Sequence, residues 1–299
     1  MAAKLSKFRV QKFGGPWSLI KVDVVDRYLQ FFNTALKNLP FERVYIDAFA
    51  GSGAFRYGTG APKNTLFGIR DETNDIHDGS AIRALRAKPP FGNIRFIESN
   101  RRNAASLREL IKQSGHPNAR VISGDANDAL VRYCRPQDWK HRRGVIFLDP
   151  FGMNVKWSTL EAISKTRALD VWLLFPLGAT IRNLPLNGHA LDASKRAAVT
   201  RLFGTDRWFD EFYRPNSTPR RTLFGLESKP IVRRVAKVND IEAYARRRLE
   251  KLFAHVEPPK RLIGRKNQSL FSLFFAMSNP NTKAINLAKR GAAHILKDS

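Results

Sequence analysis

At 299 residues and 43% hydrophobic composition, the chain can bury a substantial core and is excluded from the intrinsically disordered class. Its 52 Lys and Arg against 26 Asp and Glu give a net charge of +26 and a pI near 10.8, spread along the whole length, which favours a polyanionic partner, nucleic acid ahead of a membrane surface. A single cysteine, Cys134, excludes an intrachain disulfide; with no apolar signal core at the start and no run near the roughly 18 apolar residues of a membrane span, it predicts a soluble cytoplasmic protein without a membrane partner.

Residues 1 to 16 are basic and end in Gly14-Gly15-Pro16, so an irregular arm is expected. From Trp17 on, Leu19, Ile20, Val22, Val25, Leu29, Phe32 and Leu36 recur near helical spacing and predict an amphipathic helix over 17–38, stopped before Pro40. An apolar run then ends in an acid and small residues, Asp47-Ala48-Phe49-Ala50-Gly51-Ser52-Gly53. That pattern reads as a buried strand turning tightly over a ligand, because only Gly lets a backbone approach so closely. Residues 55–77 read as an insertion or long loop, in which no Gly-Lys-Ser/Thr supports a P-loop. Asp78 or Ser80 can cap a short helix through Ala87.

Three more strands repeat the design, at 93–100, 119–127 and 144–152, each running into an acid: Glu98, Asp125 and Asp149. A fifth strand is expected at 169–176, with helices at 101–114 and 157–166 between strands. Alternation of this kind predicts an α/β, Rossmann-like doubly wound, mostly parallel sheet. Asp47, Glu98, Asp125 and Asp149 then converge at the carboxyl edge, where open α/β sheets bind ligands. Beyond Pro176, helices are expected at 190–213 and 239–254, then a closing antiparallel hairpin of 262–264 with 269–277 and a last helix to about 296. The expected organisation is an N-terminal arm and helix (1–42), a cofactor-binding core (43–178), a helical substrate cap (179–260) and a closing hairpin with helix (261–299).

The first loop suits the charged end of a cofactor, and Glu98 suits a ribose diol, since a carboxylate accepts two hydrogen bonds. Glu98 lies 45 residues beyond Gly53 and no third Gly follows, which disfavours a nicotinamide dinucleotide, whose acid falls about 20 residues on. The layout resembles class I S-adenosylmethionine-dependent methyltransferases over about residues 43–178. Asp47 to Gly53 looks like that family's first motif, and the resemblance implies cofactor contacts from Asp47, Phe49, Ala50, Gly51, Ser52 and Gly53. It likewise implies contacts from Glu98 with Ser99, and from Asp125, Ala126 and Asn127 in the adenine-contacting loop. Asp149-Pro150-Phe151 stands where amino-methyltransferases carry Asp/Asn-Pro-Pro-Tyr/Phe, although here the second Pro is missing and Gly152 follows the aromatic. More narrowly, Trp17 with Lys21, Phe147 to Gly152, and Ser278-Asn279-Pro280 are similar to the three-Cys-motif partner proteins (TcmP). That resemblance implies a separate protein partner bearing the cysteine motif.

The function these signals predict is methylation of nucleic acid, DNA or RNA, at an exocyclic base amino group of the adenine N6 type. Asp149 and the Pro150 carbonyl would accept the amine's N–H bonds while Phe151 stacks on an extruded base. The alternative is a nucleic-acid-binding partner subunit that keeps the fold without methylating. The six histidines show no metal-ligand spacing, so no metal is expected. Basic clusters at 101–102, 140–143, 220–221, 233–234, 246–248 and 260–266 could line a phosphate-tracking groove, with Trp17, Tyr57, Trp139 or Trp157 available for stacking.

Overall fold

A computed structural model describes residues 10–12, 17–56, 77–135, 138–216, 231–264 and 267–297. Tyr57, most of the expected 55–77 insertion, Arg220, Arg221, Arg265 and Lys266 lie outside the described residues. In chain order the elements are β1 (Val10–Lys12), α1 (Trp17–Leu36), β2 (Glu42–Asp47), β3 (Ala54–Arg56), β4 (His77–Asp78), α2 (Ser80–Leu85), β5 (Asn93–Glu98) and α3 (Arg101–Ser114). They continue with β6 (Ala119–Ser123), α4 (Ala126–Cys134), β7 (Arg142–Leu148), α5 (Trp157–Ser164), β8 (Leu169–Phe175), α6 (Leu177–Arg182), α7 (Ala193–Phe203), α8 (Trp208–Phe212) and β9 (Tyr213–Asn216). The last are β10 (Ile231–Arg234), α9 (Val238–Glu250), β11 (His255–Val256), β12 (Lys260–Ile263), β13 (Ser269–Met277) and α10 (Thr282–Lys297).

The main sheet runs β11-β13-β8-β7-β2-β5-β6, with β12 also paired to β13. Strands β6, β5, β2, β7 and β8 are mutually parallel, whereas β13 joins β8 antiparallel and carries β11 and β12 antiparallel on its other edge. This is the expected doubly wound sheet with its closing hairpin. Strand β8, Leu-Asp-Val-Trp-Leu-Leu-Phe, is buried at every position because helices cover both faces of the sheet.

One face packs against α1, α2, α3 and α10, where Tyr28, Trp172 and Phe275 meet with ring centroids 4.9–5.4 Å apart. The other packs against α4 and α5, and the expected cap region contributes Phe203, Trp208, Phe212 and Tyr244 to that same core. The described parts of 179–260 therefore share their hydrophobic core with the sheet. The helix expected over 190–213 is two, because Gly204 ends the first in the left-handed conformation at φ 68°; Phe203 and Phe212 on either side both meet Tyr244 edge-on. Cys134 is a buried bystander whose thiol burial pushes up to about 12. In the arm expected to be irregular, β1 forms a small sheet with β3 and β4.

Beneath the sheet, the Tyr28 hydroxyl donates to Asp170 Oδ2 at 2.7 Å. Burial raises the Asp170 carboxyl to about 7, against which the Tyr28 hydrogen bond and Arg143 pull only partly. The folded state thus holds a proton that an unfolded Asp, titrating near 4, gives up; the stability this contributes is complete below pH 4 and is lost as pH rises through 7. Asp170→Asn keeps an acceptor for Tyr28 and removes the titration. The melting temperature of the variant relative to the wild type should therefore rise by about 3 °C or more between pH 5.5 and pH 8; a constant difference would show that Asp170 does not titrate in this range.

Candidate active site

The carboxyl ends of β2, β5, β6 and β7 open on one cleft of about 900 Å³, within the roughly 300–1,000 Å³ range of ligand sites. Phe49, Ala50, Gly51, Gly53, Glu98, Ser99, Asp125, Ala126, Asn127, Asp149, Pro150 and Phe151 all line it, as the sequence pattern expects. Gly51 and Gly53 occupy the left-handed region at φ 62° and 91°, and the Gly53 carbonyl accepts the Gly79 N–H at 2.8 Å, which closes the turn into a cradle. A side chain at Gly53 would press on Leu110 Cδ1 at 2.3 Å.

Two residues of the first motif lie behind the wall. Ser52 is fully buried and its hydroxyl donates to the Ala54 carbonyl at 3.1 Å. Asp47, also fully buried, accepts from Ser80 Oγ at 2.5 Å, from the Phe49 N–H at 3.4 Å and from the Tyr45 hydroxyl at 3.4 Å. Burial pushes its carboxyl up to about 7, and the nearby Asp149 charge adds to the rise. Asp47 thus braces the cradle from below, and Ser80, a candidate helix cap, spends its hydroxyl on Asp47, leaving α2 without a side-chain cap.

The other acids divide their oxygens between structure and the cleft. Glu98 Oε1 accepts the Asn100 N–H at 2.7 Å, and Asp125 Oδ1 caps α4 by accepting the Asp128 N–H at 3.1 Å. Asn127 is committed to the scaffold: its amide donates to the Asn154 carbonyl, and its oxygen accepts from the Lys156 N–H and the Thr159 hydroxyl. It ties α4 to the loop after β7.

At the end of β7, Asp149 forms an ion pair with Lys21 of α1, a lysine only 6% exposed. Pro150 is buried, whereas Phe151 is 84% exposed at the rim. The motif therefore sets a part-buried carboxylate and a buried proline beside an uncovered aromatic ring. Sequence reasoning placed Lys21 only within a family likeness and missed its role, because residues 128 apart declare no contact. Ser18, Arg182 and Arg201 also line the cleft with no prior signal, brought there by α1, α6 and α7. Two buried acceptors on its wall, Ser18 Oγ and Asn103 Oδ1, have no hydrogen-bond partner among the described residues. No group of three or more potential metal ligands occurs among the described residues.

Of the tryptophans considered for base stacking, only Trp17 lines the cleft. Trp139 is buried with its indole N–H on the Cys134 carbonyl, and Trp157 is buried beneath Arg248, whose guanidinium sits 4.5 Å from the ring centroid. Several basic clusters are likewise structural: Arg142 pairs with Glu42, Arg246 with Glu250 and Arg261 with Glu242.

The strand order, the antiparallel β13 at the edge of a parallel sheet, and the strand-end cleft define a class I methyltransferase fold. A protein of Legionella pneumophila str. Philadelphia 1 (LPL1258) shares this fold with a TM-score of 0.51 at 12% identity, over 93% of this chain and 90% of its own. The N-terminal domain of EvdMO1, solved with SAH bound, is similar at a TM-score of 0.41 and 14% identity, covering 92% of this chain and 93% of that one. The bifunctional kinase-methyltransferase WbdD gives 0.43 at 10% identity, covering 93% of this chain and 45% of its own. No family model matches the chain, and no curated protein matches it in sequence.

Proposed function

We propose that the protein is an S-adenosylmethionine-dependent methyltransferase that modifies nucleic acid at an exocyclic base amino group. The observation that carries this reading is the exposed Phe151 beside Asp149 and Pro150, at the end of β7 and in the same cleft as the glycine cradle and Glu98. The residues fit the cofactor. Backbone N–H groups of the cradle suit its carboxylate, and the partnerless Ser18 and Asn103 oxygens suit its ammonium. Glu98 retains Oε2 for a ribose hydroxyl, since only Oε1 is bound to Asn100. When bound, the cofactor supplies an electrophilic methyl group on a sulfonium.

The chain's own residues then prepare the nucleophile. An exocyclic amine donates one N–H to Asp149 and the other to the Pro150 carbonyl, which draws its lone pair out of conjugation with the ring. Phe151 stacks on the extruded base and sets the in-line approach. Asp149 would accept the proton that the amine loses on methylation and pass it towards solvent. Lys21 holds the carboxylate oriented from beneath. Nucleic acid is the favoured substrate because of the net charge of +26 and because Arg182 and Arg201 line the cleft wall.

A second reading, a nucleic-acid-binding subunit that keeps the fold without methylating, draws on the same Lys21 contact, which occupies the carboxylate, and on the missing second proline. The likeness to three-Cys-motif partner proteins adds a cysteine-motif protein as a proposed partner, and the single cysteine supports a reducing, cytoplasmic setting. No described helix is long and apolar enough to cross a membrane.

The test is incubation with methyl-labelled cofactor and DNA or RNA, followed by mass spectrometry of the nucleosides. An N-methylated base is expected; cofactor binding without label in any nucleoside would favour the subunit reading. Glu98→Gln, which keeps an acceptor for Asn100 but loses the charge, should weaken cofactor binding about tenfold by calorimetry with an unchanged melting temperature of the free protein. Unaltered affinity would remove Glu98 from the ribose site.

A further inference from the structure

A second concavity, about 1140 Å³, lies on the outer face of the sheet between α4 and α5. Seven cations and three acids line it. Five of the cations, Arg132, Arg135, Lys140, Lys165 and Arg167, are exposed and form no ion pair or side-chain hydrogen bond among the described residues. Of the other two, Lys156 faces Asp128 at 3.9 Å, and Arg143 is spent on backbone carbonyls and on Phe41, whose ring centroid lies 4.1 Å from its guanidinium.

Two features separate this groove from a merely basic surface. It shares Asn127 and Lys156 with the cleft that holds Asp149, so the two concavities lie on either side of a common wall. In addition, Arg167 is held in the left-handed region at φ 53°, a conformation that costs a non-glycine residue about 1–2 kcal/mol and that glycine or asparagine usually fills. An arginine kept at that turn projects a charge where the backbone itself would favour another residue.

We infer that the α4–α5 groove is a binding track for the phosphodiester backbone of the nucleic acid whose base enters the cleft, an inference that rests on the proposed nucleic-acid substrate. The nine residues of α4 rise ~13 Å, which covers about two to four phosphates of a strand. Both helices follow strands that end at the cleft edge and run back towards the opposite edge, so the track leads the chain away from Phe151 down the outside of the sheet. With buried Trp139 beneath it and no exposed ring among its lining residues, the groove offers charge without stacking, which suits backbone contact that ignores sequence.

The experiment compares three proteins by fluorescence anisotropy, without cofactor, on single-stranded oligonucleotides of about 16 and about 4 nucleotides across a salt series. The groove variant carries Arg132→Glu, Lys140→Glu and Lys165→Glu. The control carries Lys283→Glu, Lys289→Glu and Arg290→Glu on α10, the same change in net charge on the opposite face of the sheet. For the longer oligonucleotide the groove variant should weaken binding at least about tenfold more than the control, and lower the slope of log affinity against log salt by about 2–3. The short oligonucleotide should distinguish the two variants little. Arg167→Gly, which relieves the left-handed residue, should lower the slope by about 1 with no fall in melting temperature. Equal losses in groove and control variants, or none in either, overturn the track while leaving the methyltransferase reading intact. A wild-type protein that binds neither oligonucleotide overturns the nucleic-acid substrate itself.

Discussion

Under the proposed nucleic-acid methylation, Asp149→Ala should lower the turnover number by about 10²–10⁴-fold, the range of a lost acid–base group that also orients the nucleophile. Cofactor affinity should stay within about threefold, since Glu98 and the glycine cradle are untouched. The change also strands Lys21, 6% exposed and ion-paired among the described residues with Asp149 alone, so a loss of melting temperature is expected alongside the loss of activity. Lys21→Met separates the two effects. It leaves the carboxylate in place but unanchored and closer to acting as an uncompensated charge beside the buried Asp47. Single-turnover rates should fall about 10–100-fold, less than for Asp149→Ala, and the double variant should be little worse than Asp149→Ala alone, because both act on one carboxylate. If Asp149→Ala methylates within tenfold of the wild type, Asp149 is not the group that receives the amine.

Gly53→Ala should cost stability and cofactor affinity together. The new Cβ would stand 2.3 Å from Leu110 Cδ1, in a backbone conformation of φ 91° that disfavours any side chain. Left-handed strain of about 1–2 kcal/mol and overpacking of about 1–3 kcal/mol together give about 2–5 kcal/mol. The turn over the cofactor would shift with it, so calorimetric affinity for the cofactor should fall at least about tenfold. Gly115→Ala provides the contrast, since its φ is 68° but its Cβ meets nothing within 4 Å, and only the strain applies. Equal losses of melting temperature for the two variants would mean that Leu110 yields freely and that the close approach is unimportant.

The order of the site was legible before its contacts were. Four apolar runs that end in Asp47, Glu98, Asp125 and Asp149, separated by helical stretches, dictate a parallel sheet by the handedness of crossovers, and a parallel sheet sends all four ends to one edge. What each acid does there was not legible, because a strand-end carboxylate can cap, brace or face a ligand equally well. Asp47 braces the cradle through Ser80, while Asp125, Glu98 and Asp149 all line the cleft, Asp125 also capping α4, Glu98 also accepting the Asn100 N–H and Asp149 pairing with Lys21. The same limit applies to aromatic residues. Trp139 and Trp157 read as candidates for stacking and are core, since local sequence does not tell which face of a packed layer a ring will take.

The sequence by itself determined the sheet, the carboxyl-edge convergence, the motif at Asp149-Pro150-Phe151 and the strong positive charge, because these depend on local periodicity, on glycine stereochemistry and on composition. Only the tertiary structure decided that Lys21 holds Asp149 across 128 residues, that Arg182 and Arg201 line the cleft, and that Phe203, Trp208, Phe212 and Tyr244 pack into the core of the sheet. Those facts depend on which helix faces meet after the chain collapses. A pairing between distant side chains leaves no periodic trace in either segment, so it becomes visible only when packing brings the two elements together.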